Sequence, residues 1–173
     1  MIITSYPGIE KSTLTNTKQN VIDSENDRYL FKAKRLDDGD WLIGYVIKYG
    51  YTGKEKYYIV PSYASDLYAI EVDPSTICQC TGLKDKNGKL IWENDIIHKL
   101  FYTDYDAYAN SEAYTGRIQY EDGGWSVEIT KSDGGVCISP IIDMIAYSKD
   151  IEHFEVIGNI FDNPELLESE EKQ

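Results

Sequence analysis

The sequence predicts a mainly β fold built from short antiparallel strands. Aromatic residues that favour strands are abundant, with 15 Tyr, 4 Phe and 3 Trp among 173 residues, whereas long runs with helical spacing are missing. The apolar runs are short, and turns rich in Gly, Asp and Asn separate them. A hydrophobic content of 42% is enough to bury a core without disulfides or metals.

The first half of the chain reads as successive hairpins. Residues 30–35 and 41–49 look like two strands around residues 37–40, an Asp- and Gly-rich turn that tolerates left-handed backbone. Residues 56–60 and 67–72 suggest a second pair. These patterns predict two antiparallel strand pairs before residue 73.

The clearest local signal is a hairpin around Asn87 and Gly88. Residues 76–83 and 90–97 flank this dipeptide, and Asn-Gly between apolar runs is typical of a type I′ turn. Residues 90–160 continue as short strands and turns, an arrangement similar to SH3-like barrels.

The chain ends in a predicted short helix. Asn163 can cap it and Pro164 suits its first position. We therefore divide the chain into a leader at residues 1–28, a β domain at residues 29–168 and a charged tail at residues 169–173. Within the domain, residues 29–89 form the N-terminal hairpins and residues 90–160 the barrel-like part.

Charge and cysteine usage restrict the partners and the compartment. Thirty acidic and 17 basic residues give a net charge of −13, which disfavours nucleic acids. Cys78 and Cys80 form a Cys-x-Cys pair, but Cys137, His98 and His153 show no ligand spacing, so we expect buried thiols and no metal or other cofactor. No apolar run is long enough to cross a membrane and no signal-peptide pattern opens the chain, so we expect a cytoplasmic protein.

The first residues resemble a degenerate phosphate-binding loop. In P-loop kinases a strand leads into GxxxxGK[ST] and a helix. Here Gly8, Lys11 and Ser12 resemble parts of that loop, but Ser5 and Glu10 stand where the motif requires glycine. A carboxylate at position 10 adds bulk and repels phosphate. Nucleotide binding is therefore an alternative hypothesis, and a leader without that activity is the preferred one.

A second resemblance covers residues 29–168. Residues 73–89 contain Thr-Gly-Leu-Lys-Asp-Lys-Asn-Gly and are followed by Trp-Glu-Asn-Asp within residues 91–97, and residues 154–167 read Phe-Glu-Val-Ile-Gly-Asn-Ile-Phe-Asp-Asn-Pro-Glu-Leu-Leu. Together these resemble the signature of the YopX family of phage and prophage proteins. The family usually has glycine at the position of Asn94. The resemblance implies a phage-encoded, mainly β protein of unknown biochemical function and brings no catalytic residues.

Two sets of candidate site residues follow. The signature hairpin and corner consist of Thr81, Gly82, Leu83, Asn87, Gly88, Glu93, Asn94, Asp95, Gly158, Asn159, Asn163 and Pro164. A candidate interaction surface is a tyrosine-rich segment, because tyrosine supplies contact area at low entropic cost; its members are Tyr102, Tyr105, Tyr108 and Tyr114. Packing of those rings on the domain itself or on another subunit is the alternative.

The functional hypotheses belong to different classes. The preferred one is a non-enzymatic phage accessory protein that binds an unknown phage or host protein and forms a homo-oligomer, since no histidine or carboxylate pair with a catalytic arrangement is evident. The alternatives are a nucleotide-binding protein that uses the leader, and a nucleic-acid-related regulator that binds through the barrel or mimics DNA with its acidic surface.

Overall fold

The mainly β prediction is confirmed by the computed structural model, which describes residues 29–64, 68–99, 114–130, 136–141 and 154–168. The described residues form two antiparallel sheets. In chain order the strands are β1 (Phe31–Lys34), β2 (Trp41–Tyr49), β3 (Lys56–Pro61), β4 (Ile70–Val72), β5 (Cys78–Lys84), β6 (Leu90–Trp92), β7 (Asp95–Lys99), β8 (Tyr114–Glu121), β9 (Gly124–Thr130), β10 (Val136–Pro140) and β11 (Phe154–Asn159).

The chain divides into two compact units, Met1–Gln79 and Cys80–Gln173. The boundary falls inside β5, earlier in the chain than the division after residue 89 that we expected. The predicted leader and the charged tail lie outside the described residues.

The first unit is an antiparallel sheet with the order β4-β3-β2-β1-β5. Alternate residues of its strands point to one face and bury a core, as period-two patterning requires. At Gly44 a side chain would collide with the carbonyl of Val60, so only glycine fits between β2 and β3. The predicted β1–β2 and β3–β4 pairs are both present. The buried core residues are Ala33, Leu42, Ile59 and Val72.

The second unit holds a five-stranded antiparallel sheet in the order β10-β9-β8-β7-β11. The β8–β9 hairpin closes through Asp122 and Gly123, whose φ angles of 52° and 83° match a two-residue type I′ turn. Strand β6 pairs with the end of β5. The buried core residues are Ile91, Ile97, Ile118, Val127, Ile141, Phe154 and Val156.

The second unit differs from the expected barrel in its described residues. Strands β10 and β11 are the two edges of its sheet, and no pairing within the described ranges joins them. The predicted closed SH3-like barrel is therefore not found there.

The predicted C-terminal helix is also different. Residues Pro164–Leu167 form a short 3-10 turn, and the Asn163 side chain makes no capping hydrogen bond. That side chain packs instead against Gly158, where an added Cβ would lie 2.7 Å from Asn163 Oδ1. A single 3-10 turn therefore stands where the α-helix was expected, without the predicted side-chain cap.

The hairpin turn at Asn87 differs from the predicted type I′ geometry. Gly88 has a φ of 77°, whereas Asn87 keeps a negative φ. Gly88 N donates to Asp85 O at 2.9 Å, and Asp85 N donates to Lys89 O at 2.8 Å. These bonds define the longer hairpin loop in which a type I turn is followed by a left-handed glycine.

Candidate functional site

Asp85 is the centre of the signature hairpin. Its side chain is buried, with 4% exposed. Its Oδ1 accepts hydrogen bonds from Asn87 N at 2.8 Å and Lys89 N at 2.9 Å, which stabilises the longer loop. Its Oδ2 accepts from Val156 N at 3.1 Å. One carboxylate therefore closes the turn and attaches it to β11.

The neighbouring residue Lys86 adds two further links to β11. Its backbone N donates to Phe154 O at 2.9 Å, and its Nζ lies 2.6 Å from Glu155 Oε2. The hydrogen bond from Lys86 lowers the pKa of Glu155 below its ordinary value. The hairpin tip is thus held by backbone and ionic contacts together.

The Thr-Gly-Leu part of the signature forms an irregularity in β5. The Thr81 hydroxyl donates to Ile91 O at 2.8 Å and accepts from Leu83 N at 3.1 Å. Gly82 has a φ of 78°, a conformation that favours glycine. The pairing with β6 shifts register here, between Cys80 and Lys84. These residues bend β5 as a β-bulge does.

The Glu93-Asn94-Asp95 corner connects β6 to β7. Asn94 adopts a φ of 65°, the left-handed conformation that asparagine shares with glycine. Its backbone N donates to Ile118 O at 2.8 Å, and its carbonyl accepts from Ile160 N at 3.1 Å. The buried Asp95 accepts from Trp92 N at 2.9 Å. Asparagine adds a bond that glycine has no side chain to make, since Arg117 Nε donates to Asn94 Oδ1 at 2.9 Å.

The C-terminal signature closes on itself around Asn159. Its Oδ1 accepts from Phe161 N at 2.9 Å and from Asp162 N at 3.0 Å. Asn163 packs over Gly158, as described above, and Pro164 starts the 3-10 turn. The polar signature groups therefore act within the second unit by holding its turns and strands, and the geometry assigns them a structural role.

The tyrosine-rich candidate surface is only partly within the described residues. Tyr102, Tyr105 and Tyr108 lie outside them, as do Gly8, Lys11 and Ser12 of the leader. Tyr114 begins β8 and packs against the core of the second unit, and this burial raises its pKa.

The residues considered for metal binding are not gathered into a site in the described ranges. Cys78 and Cys80 are buried thiols and Cys137 is a half-buried one, and none of the three forms a disulfide. His98 Nδ1 lies 3.2 Å from Thr115 Oγ1, and His153 is outside the described residues. No group of three or more His, Cys, Asp or Glu within those ranges is placed to hold a metal ion. None of the described helices has the length and apolarity needed to cross a membrane.

An exposed apolar surface on the first unit was missed by the sequence reasoning. The register pairs Tyr45 with Val60 and Ile47 with Tyr58 on the face opposite the core. We call Tyr45, Ile47, Tyr49, Tyr58 and Val60 the outer β2–β3 face. The first three have exposures of 48%, 44% and 66%, while Tyr58 and Val60 are half-buried. The signal was present in β2, where WLIGYVIKY is largely apolar at both odd and even positions.

An ion pair lies at the edge of the outer β2–β3 face. Lys56 Nζ is 2.9 Å from Glu71 Oε1, and this partner raises the pKa of Lys56. Lys56 is paired with Tyr49, and Glu71 with Tyr58, so the two charges compensate each other beside the apolar side chains.

The fold and its signature turns define the class, a mainly β protein with two antiparallel sheets among the described residues. The family model described as YopX protein matches residues 21–168. The chain belongs to the YopX family. A solved structure, that of protein EF1440 from Enterococcus faecalis, is 26% identical and covers 80% of this chain and 96% of its own, with a TM-score of 0.40. Among curated proteins, none matches.

Proposed function

We propose that the chain is a non-enzymatic accessory protein, encoded by a phage or prophage, that acts in the host cytoplasm by binding protein. Its first partner is a second copy of itself, joined through the outer β2–β3 face. An unknown phage or host protein is the further partner, with Tyr102, Tyr105 and Tyr108 as its predicted contact.

The exposed Tyr45-Ile47-Tyr49 row carries the proposal. Contiguous exposed apolar side chains are typical of interaction surfaces, whereas single ones are ordinary. Tyrosine provides a large apolar ring together with a hydroxyl that tolerates water, which suits a surface that is covered only after assembly. A symmetric pair of such faces would bury both rows at once.

The local charge at this surface permits a second copy as its occupant. The net charge of −13 makes two chains repel each other at long range. The face itself is uncharged, and the Lys56–Glu71 pair beside it is compensated. Added salt screens the remaining repulsion and should strengthen the assembly.

The test is the mass of the full chain, measured by size-exclusion chromatography with light scattering. We expect a dimer that becomes more stable between about 50 mM and about 500 mM NaCl. Ile47→Asp places a charge in each half of the contact and should give monomers. Tyr51→Ser changes a tyrosine of comparable exposure in the β2–β3 turn and should leave the dimer intact. A folded monomer at every salt concentration, or an Ile47→Asp chain that still dimerises, would refute the proposal.

A further inference from the structure

A surface pocket lies within the second unit, where the β8–β9 turn meets the edge strand β10. Its volume is about 170 Å³, and since one water fills roughly 30 Å³ of liquid, it can hold a group well above the size of a water. Its lining residues are Glu121, Asp122, Gly124, Trp125, Ser126, Ile138 and Pro140. It contains none of the residues of the signature hairpin and corner.

Ser126 is the first observation that points to a ligand. It is 5% exposed, and it lies between Gln119 of β8 and Pro140 of β10 in the sheet register. Its Oγ is the buried side-chain polar atom within the described ranges that has no hydrogen-bond partner. Buried hydroxyls are rarely left unpaired, because the lost hydrogen bond with water costs about 1–3 kcal/mol. A ligand with a donor group would satisfy it.

The charge of the lining is the second observation. The charged groups among the residues that line the pocket are the carboxylates of Glu121 and Asp122. Gln119 Nε2 donates to Glu121 Oε2 at 3.0 Å, which orients that carboxylate. Asp122 is held in the tight turn by its φ of 52°. The negative charges of these two carboxylates favour a cationic ligand.

The apolar residues of the lining narrow the chemical class. Ile138 and Pro140 lie on the same face of the sheet as Ser126, whereas the Trp125 ring packs on the other face, against the core and against Tyr120. A guanidinium combines a flat, weakly hydrated surface that suits the apolar residues with several donors for carboxylates and a hydroxyl. A lysine ammonium is more strongly hydrated and presents a compact charge instead.

We propose that this pocket binds the arginine side chain of a partner protein. The guanidinium donates to the Glu121 and Asp122 carboxylates and to Ser126 Oγ, and its stem contacts Ile138 and Pro140. The site does not involve the first unit, so it stands whether or not the outer β2–β3 face dimerises. The net charge of −13 also attracts such a partner from a distance.

The test uses the full chain and a small probe, N-acetyl-L-arginine methylamide, whose caps leave the guanidinium as its charge. Two-dimensional NMR follows the backbone amides of Gly124 and Ser126, which both line the pocket. We expect both signals to shift in a saturable manner. The citrulline analogue, which has the same shape without the charge, should bind about tenfold more weakly or less, and the lysine analogue should lie between them.

Variants test whether the arginine probe binds to the pocket or to the acidic surface in general. Ser126→Ala, Glu121→Gln and Asp122→Asn should each weaken binding of the arginine probe, while Glu128→Gln removes a carboxylate of the same strand pair outside the pocket and should not. Unchanged spectra in all titrations, with Ser126 contacting water only, would overturn the proposal. So would equal binding of the arginine and citrulline probes, or a Glu128→Gln effect as large as that of Glu121→Gln.

Discussion

Replacing Asp85 should destabilise the second unit more than any exposed acidic substitution. Asp85→Ala removes the carboxylate that accepts from Asn87, Lys89 and Val156. The backbone N–H of Val156 is buried, so it is left without an acceptor. The two turn donors belong to exposed residues, so water can replace their lost partner.

The expected loss of stability follows from these environments. An unsatisfied buried donor costs about 1–3 kcal/mol, whereas each turn donor that regains water loses about 0.5 kcal/mol. The total for Asp85→Ala is therefore about 2–4 kcal/mol. Asp85→Asn keeps one oxygen acceptor and the shape of the side chain, so we expect roughly half of that loss.

Urea unfolding of the full chain measures the change, and hydrogen exchange at the Val156 amide locates it in the second unit. Asp40→Asn is the matched control, because Asp40 is an exposed acid in the β1–β2 turn, and its effect should stay within about 0.5 kcal/mol. If Asp85→Ala loses less than about 1 kcal/mol, or if Val156 exchange is unchanged, the assignment of Asp85 as the link between turn and β11 is wrong.

Two further predictions concern the same unit. The lowered pKa of Glu155 means that its pairing with Lys86 stabilises the fold above the ordinary carboxyl pKa, and this contribution is lost as pH falls through the lower folded value. Urea midpoints measured from neutral to acid pH should therefore show a smaller acid-dependent loss in Glu155→Gln and in Lys86→Met. A pH profile unchanged by these substitutions would contradict the pairing. Gly116→Ala places a Cβ 2.5 Å from Val127 Cγ1 and should lower the free energy of unfolding by about 1–3 kcal/mol through overpacking. In the control Gly124→Ala, the added Cβ meets nothing within 4 Å, so this variant should unfold like the unaltered protein. Equal thermal midpoints for the two variants would refute the close packing of β8 on β9.

Local sequence signals located the strands and most turns correctly. The β1–β2 hairpin and the hairpin around Gly88 were both predicted, because alternating apolar residues and turn formers act over a few neighbouring positions. The type of the second turn was predicted wrongly, as type I′, because only Gly88 and not Asn87 has a positive φ. Asp85 contributes an oxygen to Val156, 71 residues away, and the same side chain stabilises the longer loop, so the turn depends on a contact that no local pattern contains.

The candidate surfaces likewise depend partly on local sequence signals and partly on contacts between residues far apart in the chain. The sequence of β2 shows apolar residues on both of its faces, but which face is buried depends on the strands that pair with it. Ser126 carries no sequence signal at all, since a serine between Trp125 and Val127 looks like an ordinary strand residue. Its importance arises from its burial beside β10 without a hydrogen-bond partner.

The sequence by itself determined the class of the protein: a strongly acidic, mainly β chain with the hairpin and corner signature of the YopX family. Those properties depend on composition, on period-two alternation and on turn residues, all of which act between near neighbours. The tertiary structure alone decided which polar groups are satisfied, which apolar face stays exposed and where an acidic pocket forms. Each of these depends on residues far apart in the chain, and burial and hydrogen bonding between them are set only when the strands have paired.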